Sequence, residues 1–169
     1  MDPALESLFK SSGFCFDNYG RNAALKKMGI IPPKALSTGT TIAGTLFKDG
    51  VVLGADSRAT NGQVIADKHC IKLHYLSDSI FACGAGTAAD LDQVTAMLRA
   101  NLTLMELNTR RKPRVISALR IAKQHLFKYM GYVGAYLIIA GFDCTGAHLY
   151  SVHAHGSTSK DPFIADGKV

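Results

Sequence analysis

The stretch "TGTTIAGTLFKDGVVLGADSRAT", residues 38–60, decides how the rest of the chain is read. Seven residues from Thr41 and six from Val51 are rich in β-branched and apolar side chains, and they flank Lys48-Asp49-Gly50. Strand, turn, strand is the pattern of a β-hairpin. Its register has a consequence for the two polar residues at its open end. A two-residue loop of Asp49 and Gly50 pairs Asp56 with Ala43 and turns its side chain away from the face of Thr40. A three-residue loop from Lys48 to Gly50 pairs Asp56 with Ile42 and puts both on one face. A reaction shared by Thr40 and Asp56 predicts the three-residue loop, and a two-residue register counts against it.

Downstream, "QVIAD" and "IKLHYL" read as strands, Ser77 to Ser79 as a turn, and "IFACGAG" as an apolar strand running into glycines. The period then lengthens. Leu91, Val94, Leu98, Leu102 and Met105 recur every three or four residues, which predicts an amphipathic helix capped by Thr87. Pro113 suits a first helical position, and Ile116, Leu119, Ala122, Leu126 and Met130 mark a second helix antiparallel to the first. Strands return with "AYLIIAGF", a turn at "DCTG" and "AHLYSVH", while "HGSTSKDPF" reads as a connection. Strands, two helices and strands again predict an α+β layered domain, and the composition changes near Ser37 after an irregular leader.

Composition removes several function classes. With 169 residues, 47% of them hydrophobic, the chain can bury a single core. No segment approaches the roughly 18 apolar residues of a membrane helix. The cysteines, Cys15, Cys70, Cys83 and Cys144, are scattered and read as reduced thiols of a cytosolic or nuclear protein. The net charge of +6 concentrates in "NTRRKPR", residues 108–114, where no aromatic residue interleaves, so the run reads as a solvated link and not a nucleic-acid patch. His153 and His155 lack partners at metal-ligand spacing, and no metal or cofactor is expected. "CGAGTAAD" lacks the Lys-Ser/Thr of a phosphate loop.

Asp56 and Lys72 remain, two charges set in apolar strands. Each is costly to bury alone and tolerable when paired, so a plain core ion pair is one explanation. A second begins at Thr40. A threonine hydroxyl becomes a nucleophile when a base takes its proton, and a free α-amine with a pKa of about 8 can be that base. Thr40 is internal, so the mechanism requires cleavage after Gly39 and makes residues 1–39 a propeptide of a zymogen. An ammonium at Lys72 would favour the deprotonated hydroxyl, with Asp56 keeping Lys72 charged and in place.

Taken with "ADKHCIKLHYL" (66–76) and "CGAGTAADLD" (83–92), the opening block closely resembles the proteasome beta subunits, which are N-terminal nucleophile hydrolases. The leader "GFCFDNYGRNAAL" (13–25) resembles the propeptide of the trypsin-like catalytic type, the second of the beta types. The resemblance implies a four-layer αββα sandwich over residues 40–169. It implies Thr40 as nucleophile after cleavage at Gly39, Asp56 and Lys72 as its acid and lysine, Arg58 as a supporting arginine and the Gly86 N–H as oxyanion donor. Gly84 would lie at the base of the specificity pocket, with Asp92 meeting a substrate Arg or Lys. The implied activity is a threonine endopeptidase of the 20S core that cleaves after basic residues in unfolded polypeptides. Its implied partners are other alpha and beta subunits and assembly chaperones, in cytoplasm and nucleus, with no nucleic acid and no membrane. "IADGKV" stands at the family's Gly-Ser-Gly segment, with Lys168 where a serine is expected, so the sandwich is expected to be incomplete at its C-terminal end. The alternative is an inactive truncated chain acting only as an interaction or assembly partner.

Overall fold

The computed structural model describes residues 23–29, 39–61 and 64–168. The chain divides into two units, Met1–Ala35 and Leu36–Val169. In the first, residues 23–27 form a short helix; residues 1–22, Cys15 among them, and 30–38 lie outside the described residues.

The second unit is built on two sheets. β1 (Thr40–Phe47) is the middle strand of a three-stranded sheet, between β2 (Gly50–Ala55) and β10 (Phe163–Lys168). β3 (Ala59–Asn61) and β4 (Val64–Asp67) form a separate pair. β5 (Leu73–Ser77), β6 (Ile80–Gly86), β7 (Ala135–Asp143), β8 (Gly146–Val152) and β9 (Thr158–Lys160) make a five-stranded sheet in that order. Between β6 and β7 the chain forms α1 (Ala88–Thr109) and α2 (Val115–Lys128).

Each face of the five-stranded sheet buries a different partner, as alternation along a strand requires. Leu76, Ile80, Ala82, Leu137, Ile139 and Val152 meet Leu91, Val94, Leu98 and Leu102 of α1 and Val115, Leu119 and Leu126 of α2. On the opposite face, Cys83, Ala85, Ile138, Ala140 and Leu149 pack on Ile42 of β1, with Leu53 of β2 and Ile164 of β10 alongside. The result is an α+β sandwich with one helical layer and two sheets. On the outer side of the three-stranded sheet, Thr41, Ala43 and Thr45 are exposed, and no second helical layer covers them among the described residues.

Several expectations need correction. The β1–β2 loop is Lys48-Asp49, because Phe47 pairs with Gly50. Asp56 donates its N–H to the Thr41 carbonyl, so it lies opposite Thr41 and not Ile42. The expected face-sharing of Thr40 and Asp56 is overturned. An Asp-Gly turn presumes a left-handed glycine, whereas Gly50 has no positive φ and sits under the Phe47 ring, whose Cζ would be 2.9 Å from an added Cβ. "HGSTSKDPF", read as a connection, contains β9 and the start of β10. β10 consists largely of weak strand formers, and its pairing with β1 from Thr45↔Phe163 to Thr40↔Lys168 overrides that propensity.

The helices also differ in detail. Thr87 occupies the cap position of α1 without a side-chain capping bond. Pro113 precedes α2, which starts at Val115, and its expected face is rotated: Val115 and Ala118 are buried, while Ile116 and Met130 are exposed. The first N–H of α2 is capped from outside the helix by Asp143 Oδ2, 3.0 Å from Val115 N. That carboxylate, at the β7–β8 turn, also accepts from Thr145 N at 2.8 Å and lies 3.3 Å from His148 Nε2. Burial pushes the Asp143 carboxyl up. Bonds from Thr145 and Val115 and the nearby His148 outweigh that and hold it at about 2.

Candidate active site

Lys72 precedes β5 and sends its side chain inward, where it is 94% buried. An ammonium removed from water needs acceptors for its three protons. The fold supplies three: Asp56 Oδ1 at 2.8 Å, the Arg58 carbonyl at 2.6 Å and the Gly39 carbonyl at 3.3 Å. Lys72 is itself fixed by its main chain, since its carbonyl accepts from Gly84 N at 3.1 Å.

Asp56 lies one residue beyond β2 and is still paired to β1 through its N–H on the Thr41 carbonyl. Its Oδ1 accepts from Thr41 N at 2.8 Å as well as from Lys72, and its Oδ2 accepts from Arg58 N at 3.1 Å. Burial raises its pKa, but the bonds from Lys72, Thr41 and Arg58 and the Lys72 charge together leave it below the usual carboxylate value. The carboxylate thereby ties the start of β1 to Lys72 without sharing a face with Thr40. Arg58 contributes through its main chain to both charges. Arg58 also lines a separate recess of about 410 Å³ with Asp56, Ser57, Ile65 and Lys68.

Thr40, 5% exposed, lines a cavity of about 90 Å³ together with Lys72, Gly84, Gly86, Asp92 and His74. Of the expected residues, Thr40, Lys72, Gly84, Gly86 and Asp92 share this cavity, while Asp56 and Arg58 reach it through their bonds to Lys72. Gly84 admits Leu91 against its α-carbon: a Cβ there would meet Leu91 Cδ2 at 2.7 Å. Gly86 ends β6 at φ 121, and a Cβ would run into the Gly134 carbonyl oxygen. Two residues were missed by the sequence reading. His74 is two positions from Lys72, and strand period could have placed it on the same side. Burial depresses its pKa, with Asp92 pulling the other way. Thr60 accepts the Gly39 N–H through Oγ1 at 3.1 Å, a contact across 21 positions that no local pattern signals.

Residues 36–169 match the family described as "Proteasome subunit". The chain belongs to the proteasome subunit family. It is 55% identical over 155 residues to "Probable proteasome subunit beta type-2" of Schizosaccharomyces pombe, covering 92% of this chain and 58% of that protein. It is 54% identical over 156 residues to "Proteasome subunit beta type-2" of Saccharomyces cerevisiae, covering 92% and 60%. With "Proteasome subunit beta type-7-A" of Arabidopsis thaliana the identity is 51% over 155 residues, covering 92% and 57%. This proteasome-family chain thus spans somewhat under two thirds of the length of these curated relatives.

Proposed function

We propose that this chain is a threonine endopeptidase subunit of a proteasome core, with Thr40 as nucleophile once the Gly39–Thr40 bond is cut. The observation that carries this reading is the Lys72 ammonium, held at once by Asp56, by the Arg58 carbonyl and by the carbonyl of the residue before Thr40. A plain core ion pair would need no contact with Gly39.

In the released form the Thr40 α-amine takes the hydroxyl proton and Oγ attacks the substrate carbonyl. The Lys72 ammonium favours the developing alkoxide electrostatically, with Asp56 and the Arg58 carbonyl holding it in place. The Gly86 N–H would donate to the oxyanion of the tetrahedral intermediate. Asp92, which lines the same cavity as Thr40, would pair with an Arg or Lys side chain and direct cleavage after basic residues. The sandwich would work beside other alpha and beta subunits, in cytoplasm and nucleus, with assembly chaperones handling the precursor and unfolded polypeptides as substrates.

N-terminal sequencing of the mature protein from its host tests the reading. A start at Thr40, with loss of Arg-directed peptide cleavage in Thr40→Ala, is the expected result; particles that carry the intact leader and still cleave would overturn it.

A further inference from the structure

We propose that Thr60 is a positioning residue for the release of Thr40: its hydroxyl fixes Gly39 so that the Gly39 carbonyl stays on Lys72 while the Thr40 hydroxyl attacks it. This rests on the reading of Thr40 as a self-released nucleophile.

Gly39, the residue before Thr40, is held at both of its main-chain polar groups. Gly39 N–H donates to Thr60 Oγ1 at 3.1 Å, and Gly39 C=O accepts from Lys72 Nζ at 3.3 Å. On the far side of the bond, Thr41 N–H donates to Asp56 Oδ1 at 2.8 Å. A glycine before a strand would otherwise rotate freely about two dihedrals, carrying its carbonyl off the ammonium. Orientation of this kind is a large part of the advantage of an intramolecular reaction. The position of Thr60 is itself specified. The β3–β4 register shifts between Ala59 and Thr60, and such irregularities re-aim a side chain out of the ladder.

The chemistry balances without a further reagent except water. The Thr40 Oγ–C bond forms at the Gly39 carbonyl, and negative charge develops on the oxygen that Lys72 Nζ already contacts. The C–N bond then breaks and the hydroxyl proton passes to the leaving nitrogen, giving an ester and a free α-amine. Water cleaves the ester, the Gly39 carboxylate departs with the leader, and Thr40 regains its hydroxyl. Lys72 Nζ, already on the Gly39 oxygen, donates here to the developing oxyanion. Among the described residues the Thr60 hydroxyl bonds the Gly39 N–H and none of the reacting atoms, so its effect is on geometry.

The experiment uses the full chain expressed in its own host. The rate at which Thr40 appears as an N-terminus is followed by mass spectrometry after synthesis is stopped, in wild type, Thr60→Val, Thr60→Ser and Thr40→Ala. Thr60→Val keeps the shape and removes the acceptor, and release should slow ten- to a hundredfold at an unchanged melting temperature. Thr60→Ser restores the acceptor and should release within about twofold of wild type, a rescue that a packing role would not give. Thr60→Val releasing at the wild-type rate, both variants slowing equally, or slowing matched by a lower melting temperature overturns this inference alone. Cleavage at Gly39 that persists in Thr40→Ala, or a wild-type chain that keeps its leader, overturns the nucleophile reading with it.

Discussion

Asp56 Oδ1 stands 2.8 Å from both Lys72 Nζ and Thr41 N, so one oxygen joins a buried cation to the second residue of a central strand. Removing that oxygen has two separable effects. Asp56→Ala leaves an ammonium in the protein with two neutral acceptors. Breaking a fully buried pair costs about 3–5 kcal/mol, and the partial exposure of Asp56 lowers the expectation to about 2–3 kcal/mol. Urea denaturation should show this loss, and peptide cleavage should fall about a hundredfold or more; a variant as stable and as active as wild type would remove Asp56 from the site.

Acid should expose the second depressed carboxylate. Asp143 is held at about 2, below its unfolded value of about 3.9. A depressed carboxyl contributes stability above its unfolded pKa and loses it as pH falls through the folded one. About 2–3 kcal/mol should therefore disappear between about pH 4 and pH 2, and Asp143→Asn should flatten that part of the curve. Denaturation midpoints across this window for the two proteins would check it.

Gly86 and Gly54 offer a matched comparison of glycines that end or lie within strands. At Gly86 a Cβ meets the Gly134 carbonyl and the backbone is at φ 121; at Gly54 nothing lies within 4 Å. Gly86→Ala should destabilise by more than about 1 kcal/mol, and Gly54→Ala should change stability by less than about 0.5 kcal/mol. Thermal melts of both variants measure the difference, and equal effects would contradict the described strand end.

Selectivity should depend on Asp92. If it pairs with a basic substrate side chain, Asp92→Asn removes a charge-assisted bond of about 1.5–3 kcal/mol, a ten- to hundredfold loss in kcat/KM. Reporter peptides ending in Arg should show that loss and those ending in Leu should not. An equal fall for both would assign Asp92 a purely structural role.

The parts of this molecule that were legible in the sequence are those in which neighbours along the chain decide the outcome. Leu91, Val94, Leu98 and Leu102 announced α1 because they repeat at helical spacing, and all are buried against the sheet. Two apolar, β-branched runs either side of Lys48-Asp49-Gly50 announced the hairpin. The parts that were not legible depend on distant partners. β10 forms because β1 offers it a ladder, α2 begins where Asp143 caps it, and the β1–β2 turn is shorter by one residue because Gly50, without a positive φ, pairs with Phe47 inside the ladder. The site divides in the same way. Asp56 and Lys72 stood out as charges in apolar strands, whereas Thr60 lies in a short irregular hairpin and joins the site only through Gly39.

β1 is paired on both sides, to β2 from Phe47↔Gly50 to Ile42↔Ala55 and to β10 as far as Thr40↔Lys168. Chain ends ordinarily fray. A terminus created by cutting before Thr40 would instead be born in the middle of a finished sheet, anchored before it is severed, and its amine would have nowhere to wander.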